Sequence, residues 1–565
     1  MNTANAPSQG VIRLWLTAVL MLAGALILFG RAVNLQVMET EFLQGQGEAR
    51  FLRTVGIPTV RGNILDRNGE PLAVSTPVES VWAHPGELLQ AADRIPMLAA
   101  ALDTSAEEME RRLTQRAGRE FVWLQRRIHP DTADRIREMN VPGVFFRREY
   151  RRFYPTGEVS AQLLGFTNID DVGQEGLELA YNSWLQGEPG AKRVIKDRLG
   201  RTVQNVELVR EARAGRDLQL TIDRRLQYLS FRELKAGVVE FGARSGSVVI
   251  MDIPTGEVVA MVNFPSYNPN APSRIAAEGL RNRALTDVLE PGSVIKPFAL
   301  AAAMEAGLVR PDMMINTAPG HRTVAGHTIR DIRNFGELSV TEMLARSSNV
   351  GVVDLVLQMD ARHLWGLYSR FGFGSVTGSG FPGESAGVLR DYERWRRLEQ
   401  ATLAYGYGLS VTPVQLVRAM AAIADEGRLR QPVFVKGTDN PPQSVLDPAL
   451  ARDLVAMLEA ATVGVGTGTR AQVAGYRVAG KTGTTRISGA GGYVDRYVSS
   501  FAGFAPVSRP RLAAVVVIND PAGDAFYGGQ VAAPVFGRVM DSALRLLAVP
   551  PDQFDTLVTQ VEVRP

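Results

Sequence analysis

Ser293 and Lys296 are two side chains that could together carry out acyl transfer. They lie three residues apart at the start of a predicted helix, in EPGSVIKPFALAAAMEAGL from 290 to 308. Residues at this spacing project from one helix face. The lysine could therefore accept the serine proton, provided that burial lowers the pKa of its ammonium group. The free N–H groups at a helix start could stabilise an oxyanion. Alone, the pattern is weak evidence, because a serine that merely caps a helix looks the same.

Two further motifs follow at wide spacing. Ser347-Ser348-Asn349 lies 54 residues after Ser293, and Lys481-Thr482-Gly483-Thr484 begins 132 residues after Asn349, on a predicted strand. Each is common by itself. In the order S-x-x-K, S-x-N, K-T-G, however, they form a set typical of serine β-lactamases and penicillin-binding proteins. The scarcity of lysine adds weight, although genomic base composition explains most of it. Only six of the 62 basic residues are lysine, and a buried lysine, unlike arginine, can lose its proton.

The composition excludes several classes of protein. The chain has 565 residues, of which 45% are hydrophobic and 21% charged, so it is neither disordered nor collagen-like. Its net charge of +3 is too balanced to favour nucleic-acid binding. The absence of cysteine excludes thiol catalysis, disulfides and cysteine zinc sites. The five histidines form no metal-ligand pair, so we do not expect a histidine metal site.

The first element that must position these motifs is an apolar run from Leu14 to Gly30, bracketed by arginines. As a helix it would span about 25 Å, close to the hydrocarbon thickness of a membrane. We predict a transmembrane anchor over residues 14–33, with a cytoplasmic tail over 1–13. A cleaved signal peptide is the alternative, although the small residues Ala23-Gly24-Ala25 lie inside the run and not after it. The flanking charges do not decide the orientation.

Residues 45–215 read as a mixed α/β region. RGNILDRNG, from 61 to 69, contains an Asn-Gly turn signal and predicts a hairpin with the residues that follow it. Helical periodicity marks 99–119 and 131–139. Aromatic and arginine residues are interleaved over 145–155. The interruption by Glu149 and the balanced charge of the chain favour a strand with one solvated face over a polyanion-binding platform.

A small polar stretch at 210–216 marks the predicted boundary of a C-terminal domain over 216–550, followed by a tail over 551–565. Strands are predicted at 245–263, helices through much of 293–425, and strands again between 477 and 518. This order predicts an α+β fold whose central antiparallel sheet is covered by helices.

The chain resembles the class B penicillin-binding proteins, which are membrane-anchored peptidoglycan transpeptidases. The resemblance covers nearly the whole chain and is closest to the division-type, penicillin-binding protein 3-like members, with the elongation-type members next. It rests on the anchor, the three motifs above, and RGNILDRNG at 61–69, RRFYP at 151–155, GQEGLE at 173–178, AYGYGLSVTPVQL at 404–416 and SSFAGFAP at 499–506. It implies an α/β pedestal domain of the dimerisation type before the transpeptidase domain.

The resemblance also implies residue roles. Ser293 would be the acylated nucleophile and Lys296 its base, while Ser347 would relay protons and Asn349 would bind the substrate amide. Lys481 would keep Lys296 deprotonated and help to orient Ser347. The remaining implied residues are Thr482, Gly483, Thr484 and Arg486 at the substrate carboxylate, backbone N–H groups of Ser293 and Thr484 in the oxyanion hole, and Tyr407, Tyr497, Phe526 and Tyr527 in an aromatic wall. Tyr405 resembles this wall too, but an ordinary core position explains it equally well.

The implied activity is D,D-transpeptidation of D-Ala-D-Ala stem peptides at the septum, inhibited by β-lactam antibiotics. The implied reaction needs no metal and no organic cofactor. The implied location is the bacterial inner membrane, with one span and the catalytic domain in the periplasm. Expected partners are a glycosyltransferase and other division-complex membrane proteins. The alternatives are an elongation-type or specialised paralogue, a serine β-lactamase, and a non-catalytic β-lactam-binding scaffold. The N-terminal anchor and SSN in place of SDN disfavour a β-lactamase, and five intact motif residues disfavour a scaffold.

Overall fold

A computed structural model describes residues 9–39, 52–196, 202–271, 277–489 and 491–553. The predicted tails before residue 9 and after residue 553 lie outside the described residues. The chain forms two compact units. The first comprises Met1–Val60, Pro77–Tyr150 and Gly187–Ala214, and the second comprises Arg61–Thr76, Arg151–Gln186 and Gly215–Pro565. The sequence predicted one continuous domain over 45–215 and a second over 216–550, and it did not separate the two earlier segments of the second unit from the first domain. The predicted bounds stay a prediction.

The described residues form nineteen α-helices, several of only one turn. In chain order they are α1 (Gln9–Val33), α2 (Pro85–Gln90), α3 (Ile95–Ala101), α4 (Ala106–Thr114), α5 (Pro130–Glu138), α6 (Ala161–Leu164), α7 (Gly176–Ala180), α8 (Asn182–Leu185), α9 (Arg224–Glu240), α10 (Ala277–Leu280), α11 (Arg283–Thr286), α12 (Lys296–Glu305), α13 (Val340–Ala345), α14 (Asn349–Val356), α15 (Ala361–Arg370), α16 (Arg397–Leu403), α17 (Pro413–Ala424), α18 (Pro448–Ala460) and α19 (Gly528–Leu546).

The same residues form nineteen strands. They are β1 (Leu52–Ile57), β2 (Ile64–Leu65), β3 (Pro71–Ala83), β4 (Val122–Ile128), β5 (Val144–Phe153), β6 (Gly190–Lys196), β7 (Thr202–Arg210), β8 (Leu218–Gln219), β9 (Ser245–Asp252), β10 (Val258–Phe264), β11 (Met314–Asn316), β12 (His321–Val324), β13 (His327–Arg330), β14 (Glu337–Ser339), β15 (Arg428–Leu429), β16 (Gln443–Ser444), β17 (Ala479–Gly489), β18 (Gly492–Ala505) and β19 (Leu512–Asn519).

The predicted N-terminal anchor is a helix. Helix α1 continues through a wider π turn at Asn34–Met38. Within Gly10–Met38, an 18-residue window has a mean hydropathy of 2.3 and is not covered by other parts of the described chain. Among the described residues it is the one helix long and apolar enough to cross a membrane. Its 25 α-helical residues would reach about 37 Å, more than the roughly 30 Å needed.

The first unit has a small core between strands β3 and β4 and helices α2 to α5. Val81, Leu98, Leu113, Leu124 and Ile136 are buried in it. The helical pattern over 99–119 was expected to mark one segment, but the structure divides it. Helix α3 ends at Ala101, and the Ser105 side chain then accepts a hydrogen bond from the Glu108 N–H to start α4. Serine favours such a cap over a helix interior. The aromatic and arginine stretch forms β5, as predicted.

The second unit contains a five-stranded antiparallel sheet in the order β10-β9-β19-β18-β17. Alternate residues of its central strands belong to different hydrophobic cores. Val249 and Val515 face the core that includes α12 and α17, whereas Val248 and Val516 face the core that includes α9 and α19. Since both faces are covered, the strands are almost continuously apolar. This arrangement confirms the predicted α+β fold and leaves β17 at an edge of the sheet.

Three of the sequence segments behind the family resemblance meet around one buried carboxylate. Glu178 accepts from Arg61 Nε at 2.7 Å and from Arg152 Nε at 2.6 Å, and all three side chains are inaccessible to solvent. Arg61 also donates to the Glu178 carbonyl, and Arg152 to the Gly62 carbonyl. The Asn-Gly turn forms as predicted, with Gly69 at φ +87°, and β2 pairs with β3. This network holds together the two earlier segments of the second unit, Arg61–Thr76 and Arg151–Gln186.

Candidate active site

Ser293 lies in a tight 3₁₀ turn, Gly292–Ile295, immediately before α12. The sequence predicted that it begins a regular helix, and the structure shows this tighter first turn instead. Gly292 has φ +52°, and its added Cβ would lie 2.5 Å from Thr485 of β17. A glycine is therefore required for the serine segment to approach the strand. The turn leaves Ser293 half-buried, while the next three residues are fully inside the protein.

Lys296 is only 1% exposed and contacts the S-x-N motif directly. Its Nζ donates to the Ser347 carbonyl at 2.6 Å, to Ser347 Oγ at 3.1 Å and to Asn349 Oδ1 at 2.7 Å. Burial and the nearby charge of Lys481 lower the pKa of Lys296 well below its ordinary value, and Asp331 opposes this only in part. A neutral amine, which a general base requires, is thus favoured.

The S-x-N motif is held in place by a carboxylate that the sequence reasoning missed. Asp331 accepts from Ser348 Oγ at 2.6 Å, from the Asn349 N–H at 2.5 Å and from the Val350 N–H at 3.1 Å. Ser348 in turn caps α14, and Ser347 adopts a left-handed φ of +63°. No sequence signal marks Asp331, because it lies 17 residues before its partner in an irregular segment.

Lys481 is fully buried on β17. Its Nζ donates to Thr467 Oγ1 at 3.4 Å and to the carbonyl and hydroxyl of Thr482, each at 3.3 Å. Burial lowers its pKa to about 7. The sequence reasoning expected Lys481 to orient Ser347 as well, but the described contacts of Ser347 Oγ are with Lys296. Thr467 is a second residue that was missed, and it shares a 2.7 Å hydrogen bond with Thr482.

Edge strand β17 brings the K-T-G motif beside the serine. A Cβ at Gly483 would lie 2.8 Å from the Pro291 carbonyl and 2.4 Å from Ser500 Oγ, so only glycine allows this approach. Thr484 Oγ1 accepts from the Gly528 N–H at 2.9 Å. An edge strand leaves backbone groups free to pair with an extended peptide.

The predicted aromatic residues fall into two clusters. Tyr497 stacks on Phe526 at 4.1 Å between centroids, Phe526 packs on Tyr527 at 4.5 Å, and the Arg486 guanidinium lies 5.9 Å from the Tyr497 ring.

Tyr407 belongs to the other cluster, between Tyr405 and Tyr493, at 5.6 and 5.3 Å. Tyr405 also packs against the main hydrophobic core, in agreement with the alternative prediction that it is an ordinary core residue. Tyr493, which was not predicted, donates from its hydroxyl to Glu290 at 3.0 Å.

Two family models match the chain. The penicillin-binding protein transpeptidase domain covers residues 246–541, and the penicillin-binding protein dimerisation domain covers residues 56–220. The chain belongs to the penicillin-binding proteins. The predicted family and the predicted transpeptidase class are therefore confirmed.

Several penicillin-binding protein relatives match along nearly their full length. The peptidoglycan D,D-transpeptidase FtsI of Escherichia coli (strain K12) is 43% identical over 537 residues, which cover 94% of this chain and 91% of that protein. The probable peptidoglycan D,D-transpeptidase PbpC of Pseudomonas aeruginosa is 41% identical and covers 96% of each chain. Among solved structures, the apo transpeptidase domain of Burkholderia pseudomallei penicillin-binding protein 3 is 40% identical with a TM-score of 0.55, covering 59% of this chain and 97% of that one.

The three motifs of this penicillin-binding protein converge, then, on one half-buried serine. Lys296 joins the first motif to the second, and the glycine contacts at Gly292 and Gly483 join the first to the third. Among the described residues, no group of three or more histidine, aspartate or glutamate side chains is arranged to hold a metal ion. The side chains present can perform acyl transfer with their own acid–base groups.

Proposed function

We propose that this chain is a division-type peptidoglycan D,D-transpeptidase, which cross-links stem peptides at the septum through an acyl-serine intermediate. The observation that carries the proposal is the buried Lys296 amine. It lies one helical turn from Ser293, is bonded to Ser347 and Asn349, and is held towards its neutral form by burial and by Lys481.

Acylation begins when Ser293 Oγ attacks the carbonyl of the penultimate D-Ala. Lys296 accepts the hydroxyl proton, and Ser347, hydrogen-bonded to Lys296, passes a proton to the departing amine of the terminal D-Ala. Backbone N–H groups of Ser293 and Thr484 stabilise the oxyanion. An amine from a neighbouring stem peptide then attacks the ester, which regenerates Ser293 and forms the cross-link. A β-lactam mimics the first step and leaves a slowly hydrolysed ester.

The carboxylate of the terminal D-Ala binds at Lys481 with the hydroxyls of Thr482 and Thr484. A buried lysine with a pKa of about 7 gains most from an anionic partner, because a nearby negative charge favours its protonated form. The peptide backbone pairs with the free edge of β17 near Gly483, and Asn349 bonds its amide. Arg486, Tyr407, Tyr497, Phe526 and Tyr527 form the wall of the groove.

The septal role follows from the length and identity of the match to FtsI of Escherichia coli. The chain is a single-pass inner-membrane protein anchored by α1. Its catalytic unit lies in the periplasm, where cross-linking takes place. The dimerisation-type domain docks a glycosyltransferase and other division-complex membrane proteins. Membrane-embedded partners should therefore co-purify with the full-length chain, and their consistent absence would contradict this part.

Intact-mass spectrometry with a penicillin tests the chemistry. The full-length chain should gain a persistent adduct of one drug mass, Ser293→Ala should gain none, and Ser444→Ala, an exposed serine on β16, should behave as the parent. Rapid release of hydrolysed drug would instead indicate a β-lactamase. A complete lack of adduct on the folded parent would indicate a non-catalytic scaffold.

For the septal role, a fluorescent fusion should collect at the division site. Distribution along the side wall would favour the elongation-type alternative.

A further inference from the structure

A cleft of about 750 Å³ lies in the second unit, behind the serine segment. One wall is the covered face of the sheet, with Ile487, Val498 and Val517 from β17, β18 and β19. The opposite wall is formed by α10, α11 and the segment from Asp287 to Glu290. The proposed catalytic side chains Ser293, Lys296 and Lys481 are not among the described residues that line it. Its volume falls within the range of small-molecule sites, roughly 300–1,000 Å³.

The cleft contains a buried arginine whose hydrogen bonds are incomplete. Arg283 is 9% exposed, and its Nη atoms donate to Asp287 Oδ2 at 3.1 Å and to the Glu278 carbonyl at 2.8 Å. Its Nε is buried and has no partner in the described structure. Arg281, at the mouth, donates to the same Asp287 oxygen at 2.7 Å. Two guanidinium groups thus share one carboxylate, which leaves an excess positive charge and a donor that needs an acceptor.

When every charged side chain that lines the cleft is counted, five arginines face four carboxylates, Glu290 included, so one positive charge remains in excess. Arg244 pairs with Glu278 at 2.8 Å, and Arg496 pairs with Asp520. A second carboxylate, supplied by a ligand, would accept from the exposed Arg281 at the mouth, and from Arg283 Nε once a small shift of that buried side chain opens it to the cleft, since arginine donors match the geometry of a carboxylate. The apolar wall leaves space beside it for a short aliphatic group.

We propose that this cleft binds a small organic carboxylate with a short apolar side chain, of the kind found at a peptide C-terminus or in a free amino acid, and that its occupancy accelerates acylation of Ser293. The binding claim depends only on the geometry and charges of the cleft. The second half rests on the proposed function.

Two contacts connect the cleft to the serine. Thr485 Oγ1 donates to the Glu290 carbonyl at 3.2 Å, and both residues line the cleft. Thr485 also packs tightly against Gly292, which directly precedes Ser293. A ligand that fills the cleft would hold this contact and so fix the serine segment in its reactive position. Coupling of this kind typically changes an affinity or rate about five-fold or more.

Isothermal titration of the full-length chain in detergent micelles with N-acetyl-D-alanine tests the binding half. The chain is first treated with penicillin and freed of excess drug, so that the proposed catalytic groove is occupied. The treated parent should still bind N-acetyl-D-alanine. The affinity should be at least tenfold lower in Arg283→Lys, which keeps the charge but lacks Nε, and in Arg281→Met, which changes an exposed residue. Arg232→Met, which removes an exposed arginine on α9, should bind as the parent does. Thermal unfolding of each variant shows whether it is folded.

Two further ligands identify the source and the chemistry. If D-alanine binds as tightly as N-acetyl-D-alanine, the ligand is a free amino acid, and if it binds more weakly, the ligand is a peptide end. Both results support the proposal. Equal binding of sulfate, an absence of binding, or equal binding by the parent and both cleft variants would overturn it.

The regulatory half is tested by the rate of penicillin adduct formation. Saturating N-acetyl-D-alanine should raise it at least fivefold in the parent and leave it unchanged in Arg281→Met. An unchanged rate in a parent that binds the ligand overturns this half. If the parent forms no adduct at all, the proposed function fails, whereas the comparison of Arg283→Lys and Arg281→Met, run on untreated protein, still decides whether the cleft binds.

Discussion

Replacing Lys481 by methionine should stabilise the protein while abolishing its activity. The ammonium group is fully buried, makes only hydrogen bonds of 3.3–3.4 Å and, among the described residues, has no carboxylate within ion-pair distance. Burial therefore lowers its pKa from 10.5 to about 7. Because the unfolded chain holds this proton more tightly than the folded chain, the lysine destabilises the fold at neutral pH. Methionine fills a similar volume without a charge.

The size of the gain follows from the gap between the two pKa values. Each pH unit of separation corresponds to 1.36 kcal/mol, so the gap gives an upper bound of about 5 kcal/mol. Local relaxation around a buried charge reduces this bound, and we expect a gain of about 2–4 kcal/mol at pH 7.

The pH dependence has a definite sign. Between pH 7 and 10.5 the unfolded state binds more protons, so the parent gains about 1.4 kcal/mol of stability per pH unit from this group. Methionine cannot titrate. The advantage of Lys481→Met should therefore be largest at or below pH 7 and shrink steadily towards pH 9.

Urea unfolding of the full-length chain in micelles, followed by tryptophan fluorescence between pH 6.5 and 9.5, measures the difference. Lys436→Met, at an exposed lysine, should stay within about 0.5 kcal/mol of the parent at every pH. Penicillin adduct formation by Lys481→Met should fall at least about 100-fold, because the carboxylate loses its cation. A destabilised Lys481→Met, or a gain that does not vary with pH, would refute the reasoning.

Three further changes test the site and its support. Lys296→Arg should slow penicillin adduct formation by about 10²–10⁴-fold, since a guanidinium stays protonated and cannot act as a base; an unchanged rate would exclude Lys296 as the base. Gly483→Ala should cost about 1–3 kcal/mol in urea unfolding, because its Cβ would lie 2.4 Å from a hydroxyl of β18, whereas Gly366→Ala, inside α15 with open space around it, should gain about 0.5–1 kcal/mol. Arg152→Met should cost about 1–3 kcal/mol in the same assay, because the Gly62 carbonyl and one Glu178 oxygen would lose their arginine donor while Arg61 still balances the carboxylate; an unchanged stability would show that these buried acceptors do not need Arg152.

What the sequence predicted well depends on local spacing. Ser293 and Lys296 lie on one short segment, so their juxtaposition follows from a three-residue separation, even though the first turn is 3₁₀ and not α-helical. The strands of the central sheet were also predictable, because burial on both faces leaves long apolar runs such as those of β9 and β19. The Asn68-Gly69 turn formed for a similar local reason.

What the sequence could not predict depends on contacts between distant segments. Asp331 looks like any charged loop residue, and only the fold brings it to the start of α14. Thr467 lies in a glycine-rich loop and reaches Lys481 and Thr482 from 14 and 15 residues away. The cleft behind the serine combines six separate segments of chain, so neither its volume nor the unpaired Arg283 Nε has any signature in sequence.

The two buried lysines together explain how substrate binding could activate the base. The charge of Lys481 lowers the pKa of Lys296, yet Lys481 itself has a pKa of about 7 and is only partly charged at neutral pH. A substrate carboxylate beside Lys481 would raise the pKa of Lys481 and complete its protonation. The added charge would then disfavour a proton on Lys296, which must be neutral to accept the proton of Ser293. In the proposed mechanism, recognition of the carboxylate and activation of the serine would thus be linked through the repulsion between two ammonium groups, and a peptide that lacks the carboxylate should bind without fully activating the nucleophile.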